Sequence, residues 1–304
     1  MMSRMPPKTA PPISVTASTV QGWPDIEAAV RSFEAAAAAV GGEVIVTDGS
    51  GLPAPPPDAL GPRTTWISEP GRSVFQLRVS AYRAARAPII GVTEDHCLLP
   101  VDWARRNLDA HALHPEAAAV GGSVLNGATE SAMDWASFLI VQSVVAAPIA
   151  SGPTRRIAGA VSVSYKRAAL ESLDEHAGMG AMDALHQRAL AASGAALIAD
   201  DRIRVVHDQS LGFVGTVAIH FHAGRTFAGF RRQRMDLGQA IRILATPIVP
   251  LVRFVRTVRL VGPKGYGPEL VRAAPAIWFL LVVQTTGQVV GYVSGPGDSP
   301  NRVQ

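Results

Sequence analysis

Ile89-Ile90-Gly91-Val92-Thr93-Glu94-Asp95-His96 runs from an unbroken apolar stretch straight into two adjacent acids and an imidazole. A short apolar run of this kind suits a strand buried on both faces, and its polar exit marks the strand's carboxyl end. The flanking sequence repeats the pattern. Glu43-Val44-Ile45-Val46-Thr47 reads as a second buried strand that runs out into the tight loop Asp48-Gly49-Ser50-Gly51. Ile13 to Ala17 supplies a first strand, followed by a helix from about Pro24 to Val40. Asp25 and Glu27 in its first turn suit the helix dipole, and Gly41-Gly42 ends it. Further along, Trp66-Ile67 reads as a short strand, Val74 to Arg86 as a helix, Asp102 to His114 as a helix and Ala117 to Leu125 as a strand. Arg155 to Ser164 is expected as a strand, Met182 to Ser193 as a helix and Ala196 to Val206 as a strand pair or bend. This alternation predicts an α/β fold with a mainly parallel sheet covered on both faces. Ligands of such sheets bind beyond the carboxyl ends of the strands, where Asp48 and Glu94-Asp95-His96 lie.

A chain of 304 residues is long enough for one large domain with an appendage. Hydrophobic residues make up 48% and charged residues 17%, apolar for a soluble enzyme but short of a polytopic membrane protein. The lone cysteine, Cys97, excludes an internal disulfide, and its setting reads as a buried thiol rather than a nucleophile. Residues Met1 to Pro12 lack an apolar signal core and read as a disordered lead-in. The net charge of +4 is unevenly spread. Met1 to Gly224 carries 17 basic against 21 acidic residues, whereas Arg225 to Arg272 carries 10 against 2. That basic segment is interleaved with aliphatic residues, which suits an anionic membrane surface rather than nucleic acid.

Carboxylates at strand ends suit Mg²⁺ or Mn²⁺, which take hard oxygen ligands and share them with phosphates. The same residues also serve as ordinary turn caps after strands. Asp48 ends an earlier strand, and Arg204-Val205-Val206-His207-Asp208 sets a histidine after a later one. His220 and His222 share one face across Phe221 with no evident third ligand, and structural roles suit them better.

In order along the chain, these segments resemble the family 2 glycosyltransferases of the GT-A nucleotide-sugar fold, over roughly Ile13 to Arg234. Glu43 to Ser50 resembles the family strand whose aspartate binds the nucleotide base, here Asp48. Thr93 to Trp103, with Pro100, resembles the segment around the metal-binding Asp-x-Asp motif. Ile157 to Arg167 is similar to the acceptor-side strand. Met182-Asp183 with Leu185, Arg188 and Gly194 resembles the helix whose acid is the catalytic base. The resemblance implies a Rossmann-like three-layer sandwich and an inverting, metal-dependent transfer of a sugar from a nucleotide-diphosphate sugar to an acceptor hydroxyl. It further implies Asp183 as the base, Asp48, Arg78 and Glu94 at the nucleotide, and Asp95, His96 and His207 at a Mg²⁺ or Mn²⁺ ion. Two departures stand out. The metal segment is Glu-Asp-His, so that either Asp95 or the pair Glu94 and His96 would flank the ion. Met182 stands where the family often has Glu, leaving Asp183 to act alone. These departures motivate an alternative, a catalytically degenerate GT-A domain serving as a membrane-bound partner or scaffold. A nucleotidyltransferase is disfavoured, because no glycine-rich, basic triphosphate loop follows the first strand.

The expected organisation is a lead-in over 1–12, a catalytic domain over 13–224 and a basic, apolar, membrane-associated helical region over 225–304. Within that region, Arg242, Arg253, Arg256 and Arg259 form a stripe along one side of a helical projection, as in a helix lying in an interface. Pro247 and Pro250 are expected to bend or break that helix. Ala276 to Val293 has 18 uncharged residues, close to the minimum for a span, and Gln284 to Gln288 weaken it. The expected setting is the cytoplasmic face of a membrane, with an acceptor that is lipid-linked or membrane-delivered.

Overall fold

The computed structural model describes residues 10–171, 183–231, 243–244 and 246–302. The chain forms two compact units. One comprises Met1–Gly71, Phe75–Gly122 and Ser151–Val205; the other comprises Arg72–Val74, Ser123–Ala150 and Val206–Gln304.

The first unit is built on a sheet. Its leading elements are β1 (Ile13–Thr19), α1 (Glu27–Ala38), β2 (Glu43–Asp48), β3 (Thr64–Ser68), α2 (Val74–Ala84) and β4 (Ile89–Glu94). After them come β5 (Cys97–Leu98), α3 (Trp103–Leu113) and β6 (Ala117–Asn126). Later segments add β7 (Gly152–Thr154), β8 (Val163–Lys166), α5 (Arg167–Glu171), α6 (Asp183–Ala192) and β9 (Ala196–His207). The strand order is β3-β2-β1-β4-β8-β6-β9-β5, with β7 paired to β9. The expected α/β fold is present. The expected parallel pairing links β3, β2, β1 and β4, the half that carries the strand-end acids. β8 lies antiparallel to β4 and β6, and β7 antiparallel to β9.

Side-chain alternation along the strands separates two helical layers. Ile45, Ile90, Val92, Val163 and Tyr165 face a core completed by Ala81 and Ala85 at α2 and by Leu190 of α6. Gly91 points the other way, toward Trp103 of α3. The chain moves outward from β1 through β2 to β3, then returns through α2 to place β4 on the far side of β1. With right-handed crossovers, that reversal sets α1 and α2 on opposite faces and opens a crevice at the carboxyl ends of β1 and β4.

One expected strand is corrected. Of Arg155 to Ser164, only the last two residues belong to a strand, β8. The preceding residues form a buried connection with Ile157, Ala158, Ala160 and Val161 in the core. Its carbonyls are met by side chains: Gln187 Nε2 donates to Ala158 O at 2.8 Å and Thr93 Oγ1 to Val161 O at 3.2 Å. Ala196 to Val206, expected as a pair or bend, is a single strand reaching His207.

The second unit is helical, with α4 (Ala132–Val141), α7 (Gly212–Phe230), α8 (Val249–Val261) and α9 (Gly267–Ser294). A capping box starts α4: Ser131 Oγ accepts from Asp134 N, and Asp134 accepts from Ser131 N. α8 begins at Val249 with Pro250 in its first turn, the position where proline is tolerated, so the expected break is realised upstream of the helix. α9 is longer than the uncharged stretch alone, starting at Gly267 and passing through Pro275. It packs along α7 through glycines. A methyl group on Gly287 or Gly291 would run into the carbonyls of Phe221 or Arg225, and one on Gly224 into that of Gln284. Small residues of this spacing let helix backbones touch. Ser137 Oγ and His220 Nε2 lie 3.0 Å apart between α4 and α7. Arg253 of α8 donates to Gln284 of α9.

Two packing features of the first unit lead to measurable outcomes. A Cβ at Gly91 would stand 2.8 Å from the fully buried Trp103 ring, whose Nε1 is tethered to Ser162 Oγ at 3.2 Å. Gly91→Ala is therefore expected to lower stability by about 1–3 kcal/mol in urea titrations. His111 is buried with Nε2 at 2.9 Å from Ser164 Oγ, and its pKa is pushed from 6.5 down to about 4 by burial and then by the charge of Lys166. The unfolded chain binds the proton first, so stability is full above pH 6.5 and falls between 6.5 and about 4. This one group is worth roughly 3 kcal/mol across that window at 1.36 kcal/mol per pKa unit. His111→Gln is expected to flatten the corresponding part of the stability–pH curve.

Candidate functional site

The carboxyl edge of the parallel strands is organised around the end of β1. Register pairs Thr19 with Asp48 of β2 and Ser18 with Glu94 of β4. Asp48 and Glu94 thus flank the same strand tip, with backbones about 10 Å apart by two strand spacings. Hydroxyls hold the tip in shape. Thr19 Oγ1 accepts from Gln21 N at 3.0 Å and Gly22 N at 3.2 Å, folding the chain back as it leaves β1. Gly22 adopts φ 79° and lies against Ser50, where a side chain would collide. Ser18 Oγ and Thr47 Oγ1 share a hydrogen bond of 2.8 Å, and Thr47 also reaches Leu77 O of α2 at 3.1 Å.

Asp48 is 1% exposed. Its Oδ1 accepts from Ser50 N at 2.8 Å, the turn expected of Asp-Gly-Ser, while Oδ2 has no hydrogen-bond partner among the described residues. A buried carboxylate oxygen with nothing to accept costs desolvation energy, and a ligand N–H would relieve it.

Glu94, Asp95 and His96 form the other half of the edge. His96 Nδ1 lies 2.9 Å from Asp95 Oδ1, and His96 Nε2 lies 3.3 Å from Glu94 Oε2. Burial works to lower the His96 pKa, but hydrogen bonds to Asp95 and Glu94, with their charges, outweigh it and push it up to about 9. At neutral pH the imidazole is accordingly a cation held between two acids. Arg78 reaches the same cluster from α2, with Nη2 3.4 Å from Glu94 Oε1 and its guanidinium 5.8 Å from the Phe75 ring centroid. Two carboxylates and an imidazole match the donors that Mn²⁺ and Mg²⁺ accept, so the residue types fit a divalent ion. Glu94, Asp95 and His96 would hold such an ion only after His96 released a proton to free a ring nitrogen.

The remaining expected residues lie on later elements of the chain. His207 closes β9, and its carbonyl accepts from Gly127 N at 2.8 Å. Asp183 is the first residue of α6, which ends at Ala192 shortly before Gly194, at φ 80°. The side chain of Asp183, and Met182 altogether, lie outside the described residues. Sequence reasoning missed the hydroxyl frame of Thr19, Ser18 and Thr47, and also the Arg78–Glu94 contact. Only the Ser-x-x-x-Ser-Thr spacing along β1 hinted at the first, and nothing local signals the second.

No family model matches this chain, and no curated protein matches it. Among solved structures it is similar to the mannosyltransferase PcManGT from Pyrobaculum calidifontis, described in complex with GDP-Man and Mn2+. The two share 16% identity at a TM-score of 0.56, over 93% of this chain and 88% of that one. At this identity the likeness establishes a shared fold.

Cys97, next to the acidic cluster, is fully buried, and burial together with the charge of Glu94 raises its thiol well above the ordinary value. A thiol-specific chromogenic reagent in mildly alkaline buffer is expected to leave the native chain unmodified and to titrate one thiol per chain in denaturant. Rapid reaction of the native chain would show that this edge opens.

Proposed function

We propose that the chain transfers a sugar from a nucleotide-diphosphate sugar to an acceptor hydroxyl, with inversion at the anomeric carbon, as a glycosyltransferase of family 2 type with a GT-A domain over 13–224. The observation that carries this reading is the pairing of Asp48 and the Glu94-Asp95-His96 cluster on either side of one strand tip. One side offers a buried, uncommitted acceptor for a base N–H. The other offers oxygen and nitrogen ligands for the charged end of the donor, about 10 Å away by two strand spacings. The fold shared with a mannosyltransferase crystallised with GDP-Man and Mn2+ supports the same reading.

In this proposal Asp48 receives the base, while Arg78 and Glu94 frame the ribose-diphosphate. Asp95 leads the ligands of a divalent ion, with His96 and His207 beside it. Such an ion, Mg²⁺ or Mn²⁺, offsets the charge that develops on the departing diphosphate. Arg78 sits close enough to Glu94 to exchange a carboxylate for a phosphate oxygen as its partner. Asp183, at the start of α6, takes the proton of the acceptor hydroxyl. The acceptor oxygen bonds to the anomeric carbon as the bond to the diphosphate oxygen breaks, so the nucleoside diphosphate leaves with the electron pair. Region 225–304 is proposed to hold the enzyme at the cytoplasmic side of an anionic membrane, which suits a lipid-linked acceptor. α9 is long and apolar enough, by length and composition, to cross a membrane, and 39% of its apolar window is buried within the protein.

Calorimetry with UDP-, GDP- and dTDP-sugars, each with and without Mn²⁺, tests the reading. One of these donors is expected to bind, more tightly with the ion. Asp48→Ala is expected to weaken binding at least tenfold, and Asp95→Ala to abolish the dependence on the ion. Asp183→Ala is expected to bind normally and lose turnover. Absence of binding by every donor would sink the proposal and leave the degenerate-domain alternative.

A further inference from the structure

α8 is amphipathic in an unusual sense. At 100° per residue, Leu251, Val255, Arg259, Val252 and Arg256 fall within an arc of about 140°. All five are exposed, whereas Pro250, Thr257 and Val261 on the other side are buried. A helix on a water-facing surface would turn charged and polar residues of both signs outward. This one turns out three aliphatic side chains and two guanidiniums, and no acid occurs anywhere from residue 237 to 268. A depression of about 440 Å³ lies along the same face, lined by those five residues and Leu260.

The apolar surface continues beyond α8. Phe254 meets Trp278 of α9 edge-on at 6.1 Å, and the next residue, Phe279, stacks on Phe213 of α7 at 5.9 Å. Trp278 is 45% exposed, Phe213 62% and its neighbour Val214 79%. One apolar belt therefore spans three helices, with arginines along the α8 part of it. Contiguous exposed apolar surface of this extent marks an interaction face rather than ordinary surface.

We infer that this belt is the surface through which the chain meets an anionic lipid bilayer, with α8 lying in the plane of the headgroup–acyl boundary. Leu251, Val252 and Val255 sink among the acyl chains while Arg256 and Arg259 reach up to lipid phosphates. Trp278 takes the amphipathic boundary position that indoles favour. The all-cationic charge pattern selects lipid phosphate over a protein partner, whose surface would bring charges of both signs. The inference rests on the membrane placement proposed above and adds the face, the orientation and the lipid chemistry.

The test uses the full chain on phosphatidylcholine vesicles with and without phosphatidylglycerol. Flotation reports attachment, and a spin label at Val252→Cys or Val255→Cys reports depth; the buried Cys97 leaves the introduced thiol as the labelled one. On anionic vesicles both labels are expected to become accessible to dissolved oxygen and shielded from a water-soluble nickel chelate. A label at Leu113→Cys, exposed on α3, is expected to stay in water. Replacing Arg256 and Arg259 by Gln is expected to weaken attachment to anionic vesicles about fivefold per arginine, with little change on neutral ones. Labels that remain open to nickel on floated chains would overturn the inference while leaving the membrane placement intact. Failure to float on any vesicle would overturn both. Unchanged attachment of the double Gln variant would remove the lipid-phosphate role.

Discussion

β1 is hydrogen-bonded on both edges, to β2 and to β4, and all seven of its residues are buried. Burying a strand so completely is unfavourable unless each hydroxyl finds a partner, because three of its residues are serine or threonine on a single face and a fourth closes its end. Each does. Ser14 donates to Glu43 at 2.7 Å, Thr16 to Gly91 O at 3.0 Å, Ser18 pairs with Thr47, and Thr19 turns the following loop. These bonds tie β1 laterally to both neighbours along its length, from Ser14 at its amino end to Ser18 beside the loop that follows β2. Glu43 is itself held by Arg86, so the amino end of the sheet is fastened in the same manner. The carboxyl edge can then leave Asp48 partly uncommitted without loosening the frame.

Much of this arrangement could be read from the chain. Strands buried on both faces are continuous apolar runs, and β2 and β4 announced themselves with polar exits at Asp48 and Glu94. Helices α1, α2 and α3 fell within a few residues of their expected bounds; for α1 the acid of its first turn and the Gly41-Gly42 stop are local signals. The stretch from Arg155 to Ser162 misled for a physical reason. Its hydropathy reports burial, and burial is real, yet Ala158 and Val161 are served by the side chains of Gln187 and Thr93, and a strand neighbour, Gly122 of β6, meets the backbone only at Ser162. The alternating hydroxyls of β1 give no local sign of full burial, which its tertiary partners make tolerable.

The candidate site divides along the same line. Asp48, Glu94, Asp95 and His96 were legible because strand ends are where a parallel sheet presents polar groups. The pairing among them was not legible. That Arg78 meets Glu94, and that His96 carries a proton between two acids, depends on α2 packing over the crevice and on how deeply the cluster is buried. Sequence spacing is blind to both. Asp183, whose side chain lies outside the described residues, enters from its motif alone.

The glycine contact between α7 and α9 ties the fates of two helices together. Ala273, Ile277, Leu280, Leu281, Gln284, Thr285, Gly287 and Gly291 are the buried residues of α9, so one flank of this long apolar helix is already spoken for. The flank left over carries Val271, Trp278, Phe279, Val282 and Val293. Hydropathy counts both flanks alike, but only the second is available to a new environment. Backbones in direct contact cannot separate or slide without opening a void, so whatever medium receives α9 must also accommodate α7, with His220, His222 and Arg225 along it. The solvation cost of those polar groups thus becomes part of α9's own partitioning, although none of them lies in its sequence.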